Sequence, residues 1–163
     1  MAAVRIVPMT ATYAIDIVGW RYPPPYDCYD MTEVDPDFLV DPANGFFALT
    51  DDDVLGLAGF RSFGPDGQVP GGSYDSSALD TGGGLRPELT GQGLGRLAIS
   101  TGLEFGRQRF SPAAFRVTVA AFNERALRVV ESLGFSATDR FEATTNEASY
   151  VVLVRPEGRS SGT

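Results

Sequence analysis

Between residues 85 and 96 the chain reads Leu85-Arg86-Pro87-Glu88-Leu89-Thr90-Gly91-Gln92-Gly93-Leu94-Gly95-Arg96, with three glycines at alternate positions. Apolar residues at helical spacing follow at once, through Leu94, Leu97, Ala98, Thr101 and Phe105. A glycine turn leading into a helix can aim several backbone N–H groups at one small anion, backed by the positive end of the helix dipole. A pyrophosphate suits that arrangement. The alternative is a plain turn, because Gly-x-Gly-x-Gly alone occurs in many connections. Context favours the anion: the expected helix starts without an evident side-chain cap, so its first N–H groups want an external acceptor.

Two familiar phosphate loops fail on specific residues. A P-loop needs Gly-Lys-Ser/Thr, and all 13 cationic residues here are arginine. A dinucleotide fold puts its glycines after the first strand, whereas these come after four expected strands. The rest of the composition narrows the chemistry further. Histidine is absent, which removes the usual general base, the usual metal ligand and every Ser-His or Cys-His arrangement. The single cysteine, Cys28, cannot close an internal disulfide or build a thiolate zinc site, and it reads as a small half-buried residue. Carboxylates, tyrosines, serines, backbone groups or a borrowed cofactor must do the work.

The chain has 163 residues, 43% of them hydrophobic and 21% charged, which suits one globular domain. A net charge of −8 with scattered arginines excludes an ordinary nucleic-acid binder and is compatible with a cationic substrate such as an amine, or simply with solubility. No apolar run approaches the roughly 18–20 residues of a membrane span, and no signal peptide is evident. The expected location is cytoplasmic.

The elements that must position the loop can be read in order. Val4–Val7 alternates as an opening strand, and Thr10 or Thr12 caps a short helix running towards Trp20. Residues 21–37 carry Pro23, Pro24, Pro25 and Pro36, which forces an ordered loop with short helices near 26–32 or 36–40. The apolar runs Gly45–Thr50 and Val54–Phe63 flank Asp51-Asp52-Asp53 and predict a hairpin. Residues 64–77 read as an exposed, mobile connection.

A fourth strand runs from Ser77 through Gly82-Gly83-Gly84 to Leu85, its glycines suggesting a bulge or a close approach to the backbone. The helix 94–109 follows, and Pro112 ends it. Phe115, Val117 and Val119 then alternate with Arg116, Thr118 and Ala120 as a strand. Asn123 is placed to cap a helix that ends at Gly134, with Phe135 folding back on it. Strands near 139–144 and 149–155 close the order. One domain is expected over residues 1–156, with a frayed polar tail at 157–163.

Leu85-x-Pro87 followed by Gly91-x-Gly93-x-Gly95 resembles the acetyl-CoA signature of the GNAT N-acetyltransferases. Asn123-Glu124-Arg125-Ala126-Leu127-Arg128-Val129-Val130-Glu131-Ser132-Leu133-Gly134-Phe135 resembles the family's second signature. The resemblance implies an α/β fold: a central mixed, largely antiparallel sheet, splayed between strands 4 and 5 and flanked by helices. It implies backbone pairing of the pantetheine arm near Leu85 and Pro87. It also implies a pyrophosphate cradle from Thr90, Gly91, Gln92, Gly93, Leu94, Gly95 and Arg96, with Asn123 beside the cofactor arm. The activity implied is direct attack of a primary amine on the thioester of acetyl-CoA, coenzyme A being the product, with backbone donors polarising the carbonyl.

Two positions depart from the family pattern. Thr90 stands where Arg or Gln is usual, so weaker cofactor affinity is expected. Val130 stands where many members carry a tyrosine that protonates the leaving thiolate, and valine has no proton to give. As general base Asp80 is the best-placed carboxylate, ahead of Glu33 and Asp30, although a solvated strand residue reads equally well. Trp20, Tyr22, Tyr26 and Tyr29 fall in the segment that lines the acceptor site in the family. The expected acceptor is a small-molecule amine or a peptide amine, with no nucleic acid and no membrane, in a monomer or homodimer. A catalytically degenerate acyl-CoA sensor and a protein N-terminal acetyltransferase are the alternatives.

Overall fold

The structure, a computed structural model, describes residues 4–52 and 56–158. Asp53, Val54 and the end of the expected tail, 159–163, lie outside the described residues. The strands are β1 (Val4–Pro8), β2 (Phe46–Asp51), β3 (Gly56–Phe63), β4 (Leu79–Leu85), β5 (Ala114–Ala120), β6 (Ser136–Glu142) and β7 (Ser149–Pro156). The helices are α1 (Ala11–Val18), α2 (Pro36–Val40), α3 (Leu94–Phe110) and α4 (Glu124–Ser132). The seven strands pair in the order β1-β2-β3-β4-β5-β7-β6, a mixed sheet in which β4 and β5 are parallel. By contact the chain forms two compact units, Met1–Ser62 with Gly83–Gly102 and Phe63–Gly82 with Leu103–Thr163. Neither is one continuous stretch of chain.

In the first unit β1 and β2 pair antiparallel from Val4↔Asp51 to Pro8↔Phe47, and β3 continues the meander. Thr10 starts α1, its side chain accepting the Tyr13 N–H at 3.1 Å. That cap sets the helix so that Ala14 and Ile17 face inward while Ile15 stays exposed. The prolines stop α1 from continuing, and the segment after it holds a 3-10 turn, Tyr26–Tyr29. Asp35 then caps α2 by accepting from the Asp37 N–H, with Pro36 in the first helical position. Trp20, Leu39, Phe46, Ala48, Leu57 and Phe60 close over Ala14 and Ile17 as one apolar cluster.

In the second unit β5 pairs with β7 along its whole length, from Ala114↔Pro156 to Ala120↔Tyr150, and β6 pairs with the other edge of β7. Asn123 caps α4, its Oδ1 accepting the Ala126 N–H at 3.1 Å. Gly134, at φ 98°, turns the chain out of α4: its N–H reaches Glu131 O and the Phe135 N–H reaches Val130 O. Phe135 is buried beyond it. That tight exit explains why β6 opens at Ser136, ahead of the expected 139. Its residues are almost all exposed, so no apolar alternation marks the start.

The connection 64–77, expected to be mobile, is exposed but anchored. The Tyr74 hydroxyl lies 2.9 Å from Thr118 Oγ1 on β5 and accepts the Val69 N–H at 3.0 Å. Thr144 N–H donates to Pro70 O at 3.0 Å, and a Cβ on Gly71 would come within 2.8 Å of Glu142 O.

Candidate active site

The glycine loop has the local geometry that its sequence suggests. Pro87–Leu89 forms a 3-10 turn, tied off by Thr90 Oγ1 donating to Pro87 O at 2.8 Å. Gln92 Nε2 donates back to Glu88 O at 2.9 Å. Gly91 and Gly93 sit at φ 75° and 81°, backbone that L side chains rarely adopt, and α3 begins at Leu94. A Cβ on Gly93 or Gly95 would meet nothing within 4 Å. Gly93 has no side chain to cap the helix, and the N–H groups of its first turn have no acceptor within the helix by construction. Open space therefore adjoins a set of donors at the positive end of a 17-residue helix. The Thr90 hydroxyl is spent on the turn.

The end of β4, just before the loop, is held by residues from the first unit. The Tyr22 hydroxyl donates to Leu85 O at 2.6 Å, and the Tyr22 N–H donates to Asp30 Oδ1 at 2.9 Å. Burial, followed by the nearby Asp30 and Glu88 carboxylates, pushes the Tyr22 hydroxyl well above its usual range, so it stays a donor. Arg86 Nε donates to Leu57 O at 2.8 Å, and its Nη2 pairs with Asp16. The same guanidinium lies 5.2 Å from the Trp20 ring centroid, and Trp20 Nε1 donates to Asp16 Oδ1 at 3.1 Å. Asp16 thus joins Trp20 to Arg86. These groups flank a cleft of about 430 Å3 lined by Ile15, Asp16, Gly19, Trp20, Arg21, Arg86, Pro87 and Glu88.

The four aromatic residues expected at an acceptor site differ in exposure and partners. Trp20 is 6% exposed and belongs to the apolar cluster, showing only part of its ring to the cleft. Tyr22 is half-buried against β4. Tyr26 and Tyr29 lie on the 3-10 turn, with Tyr29 39% exposed. Neither Asp16 nor Arg86 stands out in the sequence, although Arg86 occupies the variable position of Leu85-x-Pro87.

Asp80 has another occupation than proton transfer. It is 4% exposed, with Oδ1 accepting from Arg116 Nε at 2.6 Å and Oδ2 from Arg116 Nη2 at 2.8 Å. Gln68 Nε2 also donates to Oδ2 at 3.0 Å. Both oxygens are engaged, which argues against the general-base role that its strand position suggested. Arg116 is held from other sides by the Asp75 carboxylate and carbonyl and by the Tyr74 ring, 5.0 Å from its Cζ. The hydrogen bonds it donates to Asp80, and the charge of that carboxylate, push the guanidinium further up its range. In the sequence Arg116 falls on the polar phase of β5. The connection 64–78 covers that face.

The Asn123 side-chain oxygen caps α4, as its sequence position implies. Val130 is 3% exposed on the inner face of that helix, a packing position. Among the described residues no helix is long and apolar enough to cross a membrane.

Comparison with known proteins follows the same lines. A search of the curated proteins finds no match. Among solved structures, a chimera of spermidine N-acetyltransferase SpeG from Vibrio cholerae and hSSAT superposes with TM-score 0.72 at 17% identity, covering 95% of each chain. A GNAT-family acetyltransferase from Bacillus anthracis gives TM-score 0.73 at 14% identity over 94% of each chain. At these identities the likeness shows the fold. The model of the acetyltransferase (GNAT) family matches residues 12–135, spanning both glycine loop and Asn-capped helix, and the chain belongs to that family.

Proposed function

We propose that the protein is an acyl-CoA-dependent N-acetyltransferase that acetylates the primary amine of a small molecule. The observation that carries this reading is the loop at the start of α3, where Gly91 and Gly93 adopt positive φ and open space lies over Gly93 and Gly95. A pyrophosphate fits there on chemical grounds: it needs several converging N–H donors and room for its oxygens, and a side chain at Gly93 would take that room. Acetyl-CoA, the general donor of the family, supplies an activated thioester when bound.

The chain's own residues then have distinct tasks. The N–H groups of Gly91, Gln92, Gly93, Leu94, Gly95 and Arg96 hold the phosphates. The backbone of Leu85 and the turn at Pro87 orient the pantetheine arm. Tyr22 fixes the Leu85 carbonyl. Arg86, locked by Asp16 and Leu57, holds the entry into the loop. Tyr26, Tyr29 and the exposed rim of Trp20 contact the acceptor, whose ammonium the acidic chain favours. With both Asp80 oxygens engaged, the amine gives up its proton to solvent water.

One observation favours a sensor without turnover: Val130 is in the core and provides no acid for the departing thiolate. Incubation with acetyl-CoA and a panel of amines and N-terminal peptides, following free thiol, separates the two. Turnover with any acceptor supports the enzyme. Tight acetyl-CoA binding with no turnover across the panel supports the sensor, and absence of binding overturns both.

A further inference from the structure

Arg61 lies in the middle of β3, where every residue from Leu57 to Phe63 is buried. It is 6% exposed, and its Nε is buried with no hydrogen-bond partner. Among the described residues no carboxylate pairs with it, in contrast to Arg86 and Arg116, whose partners are Asp16, Asp75 and Asp80. Glycines make its space. A Cβ on Gly83 of β4 would come within 2.6 Å of Arg61 Nη1, and one on Gly102 of α3 within 2.9 Å of its Nε. The guanidinium is thus enclosed by β4, two residues before Leu85, and by α3, two turns after the glycine loop. Burial alone lowers its pKa, to about 10, and no charged group from β2, β4 or α3 contributes. It remains a cation at neutral pH.

A desolvated, unpaired charge is costly for folding, and its field carries further than that of a surface arginine. Packing does not require it, since an apolar side chain of similar volume would fill the space. We propose that Arg61 is an electrostatic positioning residue whose buried guanidinium, lodged between Gly83 and Gly102, stabilises the thiolate of coenzyme A bound along β4. The inference rests on the acyl-CoA reading of the preceding section. In acyl transfer to an amine the N–C bond forms as the C–S bond breaks, the electron pair goes to sulfur and the amine proton to water. A fixed positive charge behind the strand favours the sulfur anion without donating a proton. It offsets the missing acid at Val130. Leu85 is about 7 Å along the strand from Gly83, so the field acts at short range through protein.

The test reads the thiol, not the reaction. Coenzyme A is bound to the intact protein, binding is measured by calorimetry, and the bound thiol is titrated by its ultraviolet thiolate absorbance. In the wild type the bound thiol should titrate about one unit below free coenzyme A, roughly a tenfold gain in thiolate at a given pH. Arg61→Met should return the thiol to its free value and raise the thermal midpoint, because a buried unpaired charge is removed. Arg61→Lys should keep most of the shift. A wild-type thiol that titrates at or above its free value overturns the proposal without any variant. So does an identical titration in wild type and a folded, coenzyme A-binding Arg61→Met. Failure to bind coenzyme A at all overturns the parent reading, and this inference with it.

Discussion

At the scale of single residues, the buried polar groups have separable roles that a mutation series can read. Asp80 and Arg116 form a buried, doubly hydrogen-bonded pair, and removing one partner leaves the other charge without compensation. Asp80→Asn should therefore cost about 3–5 kcal/mol of stability, measured by denaturant unfolding. The pH profile of turnover should keep its acidic limb, whereas loss of that limb would restore Asp80 as the base. Tyr22 gives a pH-dependent signal. Its folded-state pKa lies above the ordinary value of about 10, so its contribution is complete below pH 10 and is lost as pH rises beyond it. Tyr22→Phe should lose about 1 kcal/mol at neutral pH, from the hydrogen bond to Leu85 O. It should also unfold with a flatter alkaline slope than the wild type, as followed by circular dichroism across pH.

At the scale of elements, glycine positions decide what the helices can do. Gly93 precedes α3 at φ 81° with open space around the missing Cβ, so Gly93→Val strains the backbone and fills the proposed phosphate site. Calorimetry should show coenzyme A affinity falling at least tenfold while the fold persists with a loss of about 1–3 kcal/mol. Unchanged affinity would remove the phosphate assignment. Gly134 ends α4 at φ 98°, and a Cβ there would lie 3.3 Å from Arg155 Cδ. Gly134→Ala should cost about 1 kcal/mol in unfolding experiments and leave ligand affinity unchanged, since the exit of α4 serves packing alone.

At the scale of the whole molecule, ligand binding and folding are linked. A ligand that binds only the folded chain stabilises it by about 2.7 kcal/mol at a hundredfold excess over its Kd. Coenzyme A should accordingly raise the thermal midpoint in proportion to the logarithm of its concentration. A pantetheine fragment lacking the phosphates should raise it far less at the same concentration. The loop Gly91–Arg96 and the strand end at Leu85 belong to one compact unit, while Asn123 belongs to the other. A chain whose midpoint does not respond to coenzyme A has no acyl-CoA site in either.

The sequence by itself determined the order of elements, the loop and both caps of α4, because these rest on local rules: glycine at positive φ, Asn at an N-cap, proline against helix, apolar periodicity. The pairing of long side chains was beyond its reach. Asp80 and Arg116 are 36 positions apart and Asp16 and Arg86 are 70 apart, so only the tertiary structure could join them. The strand alternation placed Arg116 opposite Phe115 and Val117, and nothing local announces that residues 64–78 return to cover that face. Arg61 is the sharpest case. Its burial and its lack of a counter-charge depend on how closely Gly83 and Gly102 approach β3, and only packing decides that distance.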